Sequence, residues 1–204
     1  MVSICICNLG LYNEGKLACS WIILPCTESK LQRLLWRIGI NEVYEEWFIC
    51  DSSSDLNCVN EVIGEHTSIH SLNRLAKRLR GMSKSELEML EAVSEYESPR
   101  TADELLKLAC NLDCYTIYPD VNTHEELGEY FLYELEAISV PEHLLPYFNA
   151  EAYGRDLSFS LDGLFTSVGF VEKNDTSELS YKPETNSHRK LTCAYQTGKR
   201  RGIH

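Results

Sequence analysis

The chain has 204 residues, 44% of them hydrophobic, and carries 31 Asp and Glu against 19 Lys and Arg, for a net charge of −12. That length is enough to bury a core. No apolar run approaches the roughly 18 residues of a membrane span, and the opening MVSICICNLG lacks the basic start and continuous apolar stretch of a secretory signal. The expectation is a cytoplasmic protein that repels nucleic acid and attracts basic protein surfaces.

Residues 1–62 read as a β-β-α-β subdomain. Val2–Cys7 and Leu17–Leu24 are rich in strand-forming residues and flank the turn-prone Asn13–Gly15. Thr27 is placed to cap a helix over Glu28–Ile38, whose Leu31, Leu34, Leu35 and Ile38 share one face. Gly39 follows as the left-handed residue that ends such a helix. Tyr44–Asp51 reads as a third strand with Trp47 and Ile49 on one face, and the Ser- and Asn-rich Ser52–Asn60 as a linker.

Residues 63–111 read as a central helical subdomain. Ser68 opens a helix carrying the stripe Ile69, Leu72, Leu75, Ala76 and Leu79. Ser83 with Glu86, Thr101 with Glu104 and Thr123 with Glu126 have capping-box spacing, which marks three helix starts. Residues 112–171 read as a C-terminal α+β subdomain. Its expected parts are a strand at Asp113–Tyr118, the helix after Thr123, and a hairpin of Asp156–Ser160 with Leu164–Phe170 around Asp162–Gly163. Residues 172–204, poor in aliphatics and basic, are expected to be a disordered tail. The fold class is α+β in three small subdomains plus the tail.

The chain carries nine cysteines, an odd count without a CxxC pair. Burial as small apolar side chains accounts for them better than disulfides or metal. His66 and His70 have helical spacing, but HTSIH lacks the glutamate of a zinc-protease motif. There is also no phosphate-binding loop, dinucleotide fingerprint or nucleophile elbow. No cofactor or metal is implied, and an enzyme is disfavoured.

Charge is unevenly distributed. Residues 1–171 hold 27 acids against 12 bases, and residues 172–204 hold 4 against 7. Within 101–151 there are 11 acids and one base, Lys107. On a helix after Thr123, with residues advancing about 100° each, Leu127, Phe131, Leu135 and Ile138 fall on one side and Glu125, Glu129 and Glu136 opposite. Glu88, Glu91 and Glu95 repeat the stripe on the preceding helix system. Unpaired like charges at these spacings cost a helix about 0.2–0.5 kcal/mol per pair, so their retention points to a partner that reads them. The basic run Arg74, Lys77, Arg78, Arg80 and Lys84 stands against this pattern.

Four segments in order resemble the ArdA-type antirestriction proteins of mobile elements: ICNLGLYNEGKLACSWIILPCT, IGINEVYEEWFICD, TSIHSLNRL and YFNAEAYGRDLSFSLDGLF. The resemblance implies a three-part elongated protomer and a homodimer joined through the C-terminal part. It also implies a curved acidic surface that imitates B-form DNA in the DNA-binding cleft of type I restriction–modification enzymes. On this reading Glu14, Glu45, Glu46, Asp51, Asp156 and Asp162 belong to the mimic surface. Helical periodicity adds Glu88, Glu91, Glu95, Glu125, Glu129 and Glu136, and the acid-rich window adds Asp103, Glu104, Asp120 and Glu126. Tyr115 and Ile117, on one face of a strand, are expected at the dimer interface. Two alternatives stay open: an acidic inhibitor of another DNA-binding protein, and a nucleic-acid binder using Arg74–Lys84 and the tail.

Overall fold

The computed structural model describes residues 1–174, an α+β arrangement of two small antiparallel sheets with helices packed around them. The first sheet joins β1 (Val2–Asn8), β2 (Cys19–Leu24) and β3 (Trp47–Ser54) in the order β2-β1-β3. Alternation puts Val2, Ile4 and Ile6 on the buried face, with Ile22, Leu24 and Ile49 in the same cluster. Helix α2 (Glu28–Arg37) adds Leu34 and Leu35 to that cluster, and Thr27 caps it as expected by accepting from Lys30 N at 3.3 Å.

Where a turn was expected at Asn13–Gly15, a short helix α1 (Leu9–Asn13) comes first. The fully buried Asn8 fixes it. Its Oδ1 accepts from Leu11 N at 3.0 Å, while its Nδ2 donates to Ile38 O at 3.2 Å, tying the end of β1 to the end of α2. Gly39 does adopt a positive φ, of 83°.

The Ser52–Asn60 segment is not a linker. Ser52, Ser53 and Ser54 pair with Ile4, Ser3 and Val2 and extend β3 beyond the expected Asp51, and Asn57–Glu61 forms helix α3. A neighbouring strand with unpaired backbone groups overrode the weak strand propensity of serine. No side chain of its own caps α3; its first amides are capped from a distant helix, a signal no local reading contains.

The central helices are α4 (Ile69–Arg80), α5 (Lys84–Glu97) and α6 (Ala102–Cys110). Ser68 caps α4, and Ser83 with Glu86 closes a full capping box on α5. The Thr101 box is half made: its hydroxyl accepts from Glu104 N, but the Glu104 carboxylate turns to Arg100 N at 2.8 Å. Buried residues of α4, α5 and α6 share one cluster with those of the first sheet.

The second sheet has the order β4-β6-β5, from β4 (Tyr115–Pro119), β5 (Leu164–Thr166) and β6 (Gly169–Lys173). The expected hairpin over Asp156–Ser160 is incorrect. Those residues lie in helix α8 (Ala150–Ser160), capped by Asn149 Oδ1 accepting from Ala152 N at 2.9 Å, and the hairpin joins β5 to β6 instead. Tyr153, Leu157 and Leu161, spaced by four, pack on the second core cluster with Phe170 and Leu127. The tail boundary also moves, because Glu172 and Lys173 lie in β6. The rest of the expected disordered tail, from residue 175, lies outside the described residues.

Helix α7 (His124–Glu129) starts with the full Thr123–Glu126 capping box, then widens into a π turn over Tyr130–Glu134. Its 100° projection therefore fails beyond Glu129. Leu135 N bonds back five residues to Tyr130 O at 3.0 Å, Leu135 is exposed, and Glu136 leaves the helix with φ 48°. Helices α7 and α8 touch backbone to backbone. A Cβ built on Gly128 would lie 2.0 Å from Ala150 O, and one on Gly154 would lie 1.7 Å from His124 O. No helix among the described residues is long and apolar enough to cross a membrane.

Candidate acidic surface

The carboxylates divide by what they touch. One set holds the fold together. Glu14 accepts from Lys16 Nζ at 3.0 Å and from Tyr44 OH at 2.8 Å, and the Lys16 bond, seconded by Tyr44, keeps its carboxyl below the usual range. Glu91 reaches from α5 to the start of α3, accepting from Asn57 N at 2.6 Å and Cys58 N at 3.2 Å. Its charge adds to burial in pushing the Cys58 thiol up to about 12. Glu95 accepts from the backbone N–H of Ser167 at 2.9 Å and from its hydroxyl, binding α5 to the β5–β6 turn. Asp103 accepts from Ser71 Oγ at 2.9 Å and lies 3.5 Å from Arg74 Nη1. Glu126 completes the cap of its own helix, and Glu104 accepts from Arg100 N just before its helix begins.

The stripe Glu88, Glu91 and Glu95 is therefore not unpaired. Glu88 sits 3.2 Å from Lys84, and the other two serve neighbouring segments. Nor is the basic run a continuous positive patch. Arg74 faces Asp103, Arg78 lies 3.6 Å from Glu86 and donates to Ala109 O at 3.0 Å, and Lys84 faces Glu88; Lys77 and Arg80 remain exposed.

A second set of acids is exposed, and among the described residues makes no side-chain ion pair or hydrogen bond to another side chain: Glu45, Glu46, Asp51, Asp120, Glu125, Glu129, Glu136, Asp156 and Asp162. Asp51 folds back on Ser52 N at 2.7 Å. Glu134 and Glu142, missed by the helical projection, are exposed in the same region; their signal lay in the charge of the 101–151 window rather than in any period. Glu125 and Glu129 line a groove with Glu151, Tyr133, Tyr147 and Phe148.

Tyr115, expected at the dimer interface, lies in the protomer's own core. It is buried within the protomer, its hydroxyl donating to Glu97 at 2.6 Å, and Ile117 packs partly buried on the main cluster. Lys173 Nζ donates to the same Glu97 carboxylate at 2.6 Å. Burial opposes the charged form of Glu97, yet the Lys173 and Tyr115 bonds outweigh it and hold its carboxyl below the usual range. Burial and the bond to Glu97 in turn raise the Tyr115 phenol well above its ordinary value. The exposed apolar surface of this third lies elsewhere, at Tyr133, Leu135, Leu144, Tyr147, Phe159 and Leu164.

Among the described residues the thiols depart from expectation twice: Cys50 and Cys110 are exposed rather than buried, and two others pair. Cys7 and Cys19, opposite each other on β1 and β2 with Cα atoms 4.1 Å apart, are joined as a disulfide. Facing strands bring together cysteines that the sequence separates by 12 residues.

The model of the family described as antirestriction protein (ArdA) matches residues 4–172 of the chain. Among curated proteins none matches.

Proposed function

Because the chain belongs to the ArdA antirestriction family, we propose that it acts without catalysis as a DNA mimic, binding the DNA-binding cleft of type I restriction–modification enzymes in competition with their substrate. One observation carries the reading: among the described residues the acids from Asp120 to Asp162 are exposed and largely without counter-ions, while others, such as Glu91 and Glu95, are engaged in holding neighbouring segments. An unpaired anionic surface is what a cleft built to neutralise phosphates takes up. Glu125 and Glu129, one i to i+4 step apart, are separated by a rise of about 6 Å, comparable to phosphate spacing along a strand. Glu45, Glu46, Asp51 and Glu136 extend the surface, and Glu88, ion-paired to Lys84, borders it.

The active form is a homodimer in the cytoplasm, joined through the C-terminal third. The exposed Tyr147 and Phe159, at 84% and 79%, with Leu135 and Leu144 nearby in sequence, support this placement over Tyr115. Two copies of residues 1–171, each with 27 acids against 12 bases, have the net charge of about 50 Å of duplex at one charge per roughly 1.7 Å.

The test titrates purified protein into a type I enzyme bound to its DNA site and reads displaced DNA and residual cleavage. The expected result is inhibition complete only near one protein dimer per DNA site, and relieved by excess DNA. Complete inhibition at a hundredth of that ratio would overturn the mimic reading. Equal displacement of an unrelated nucleoid protein would redirect it to a general inhibitor of DNA-binding proteins.

A further inference from the structure

Three cysteines from three adjacent strands meet on the outer face of the first sheet. Cys7 of β1 lies opposite Cys19 of β2, and Cys50 of β3 joins them; the three sulfur atoms lie within 4.8 Å of one another. Strict alternation does not explain Cys50. Ile49, its neighbour, pairs with Ile6 on the buried face, while Asp51 pairs with Cys5, leaving Cys50 as the extra residue of a β-bulge. Bulges re-aim a side chain out of the regular pleat, and here the bulge turns Cys50 onto the face that holds the other two sulfurs. Cys7 is buried, Cys19 half-buried and Cys50 exposed, so the cluster has a closed floor and one side open to solvent.

We infer that the reduced protein holds a thiophilic d10 cation, Zn(II) or Cu(I), between the thiolates of Cys7, Cys19 and Cys50, with one coordination position open to solvent. Metal–sulfur bonds of about 2.3 Å place three thiolates about 3.8–4.0 Å apart in tetrahedral or trigonal geometry. The three sulfurs here, all within 4.8 Å of one another, lie close to that range. Thiolate ligands select soft ions over Mg(II) or Ca(II). The disulfide and the metal site are alternative states of the same sulfurs. A thiol or phosphine reductant supplies two electrons, with two protons from solvent, to open Cys7–Cys19 into two thiols; the cation then displaces one proton from each of the three thiols it binds. The site is independent of the antirestriction reading, since the cluster uses none of the carboxylates assigned to the mimic surface.

The experiment uses the full chain, reduced with a phosphine under anaerobic conditions and titrated with Zn(II) or Cd(II) against a chromophoric chelator. The expected result is one tightly held ion per chain, a thiolate-to-Cd(II) charge-transfer band, and protection of Cys7, Cys19 and Cys50 from alkylation as mapped by mass spectrometry. Cys50→Ser, at an exposed position, should weaken the site at least tenfold and remove the protection of Cys7 and Cys19. Absence of stoichiometric binding, protection mapped to other cysteines, or a Cys7–Cys19 bond that resists the reductant would each overturn the proposal. The alkylation map of the wild-type chain decides the matter even if the variant does not fold.

Discussion

Replacing Glu91 by Ala separates a carboxylate that builds the protein from one proposed to meet a partner. Glu91 accepts from the Asn57 and Cys58 amides at the start of a five-residue helix that has no cap of its own. A hydrogen bond to a charged group contributes about 1.5–3 kcal/mol when shielded, and loss of a helix N-cap costs about 0.5–2 kcal/mol. One of the two bonds is at the surface and the other partly buried, so the expected loss is about 2 kcal/mol. For a protein of this size that lowers Tm by about 4–8 °C. Glu125→Gln, which breaks no ion pair or side-chain hydrogen bond among the described residues, should leave Tm within about 1–2 °C because surface changes stay near ±0.5 kcal/mol. Thermal melts followed by circular dichroism, with urea titrations at matched pH, read both. An unchanged Tm for Glu91→Ala accompanied by a large loss of inhibition would refute the division of the acids into structural and functional sets.

Gly154→Ala should be more damaging than its size suggests, because the added methyl meets backbone rather than a movable side chain; a loss of about 3 kcal/mol, at the upper end of overpacking costs, should be visible in urea unfolding. Glu97 has a depressed folded-state pKa, so its contribution is present above the ordinary value near 4.3 and is lost as pH falls through the lower folded value. The stability difference between wild type and Glu97→Gln should accordingly be constant from about pH 5.5 to 8 and shrink below about pH 4, and a difference that grows on acidification would contradict the geometry. Neutralising Glu125 or Glu129 alone should reduce inhibition only a few-fold, whereas neutralising both with Asp156 and Asp162 should reduce it by orders of magnitude and flatten its dependence on salt, as measured by DNA displacement at several ionic strengths.

Features set by neighbours in sequence were legible. The caps at Thr27, Ser68, Ser83 and Thr123 all form, and so does the buried stripe of α4. Features set by distant partners were not. Ser52–Ser54 became strand because β1 offered an open edge, and α3 exists with Glu91 holding its first amides from 33 residues away. Asp156 and Asp162 were placed on one hairpin because Asp-Gly resembles a turn; Asp156 is on α8, and Asp162 follows that helix with φ 48°. Overall acidity was plain in the composition, but the pairing of individual carboxylates was not. Glu88, Glu91 and Glu95 share a helical period, yet their partners lie respectively on the same helix, on α3 and in the β5–β6 turn.

The contact between Gly128 and Gly154 bears on how freely this surface can evolve. Glu125 and Glu129 ride on one helix, Glu151 and Asp156 on the other, and the two backbones meet where a single methyl group has no room. The crossing is set by sterics and does not depend on which charges the helices carry. Substituting an individual exposed acid leaves the frame on which the acids are carried in place. The two uncharged residues, rather than any carboxylate, are then the positions where a substitution costs this pair of helices most.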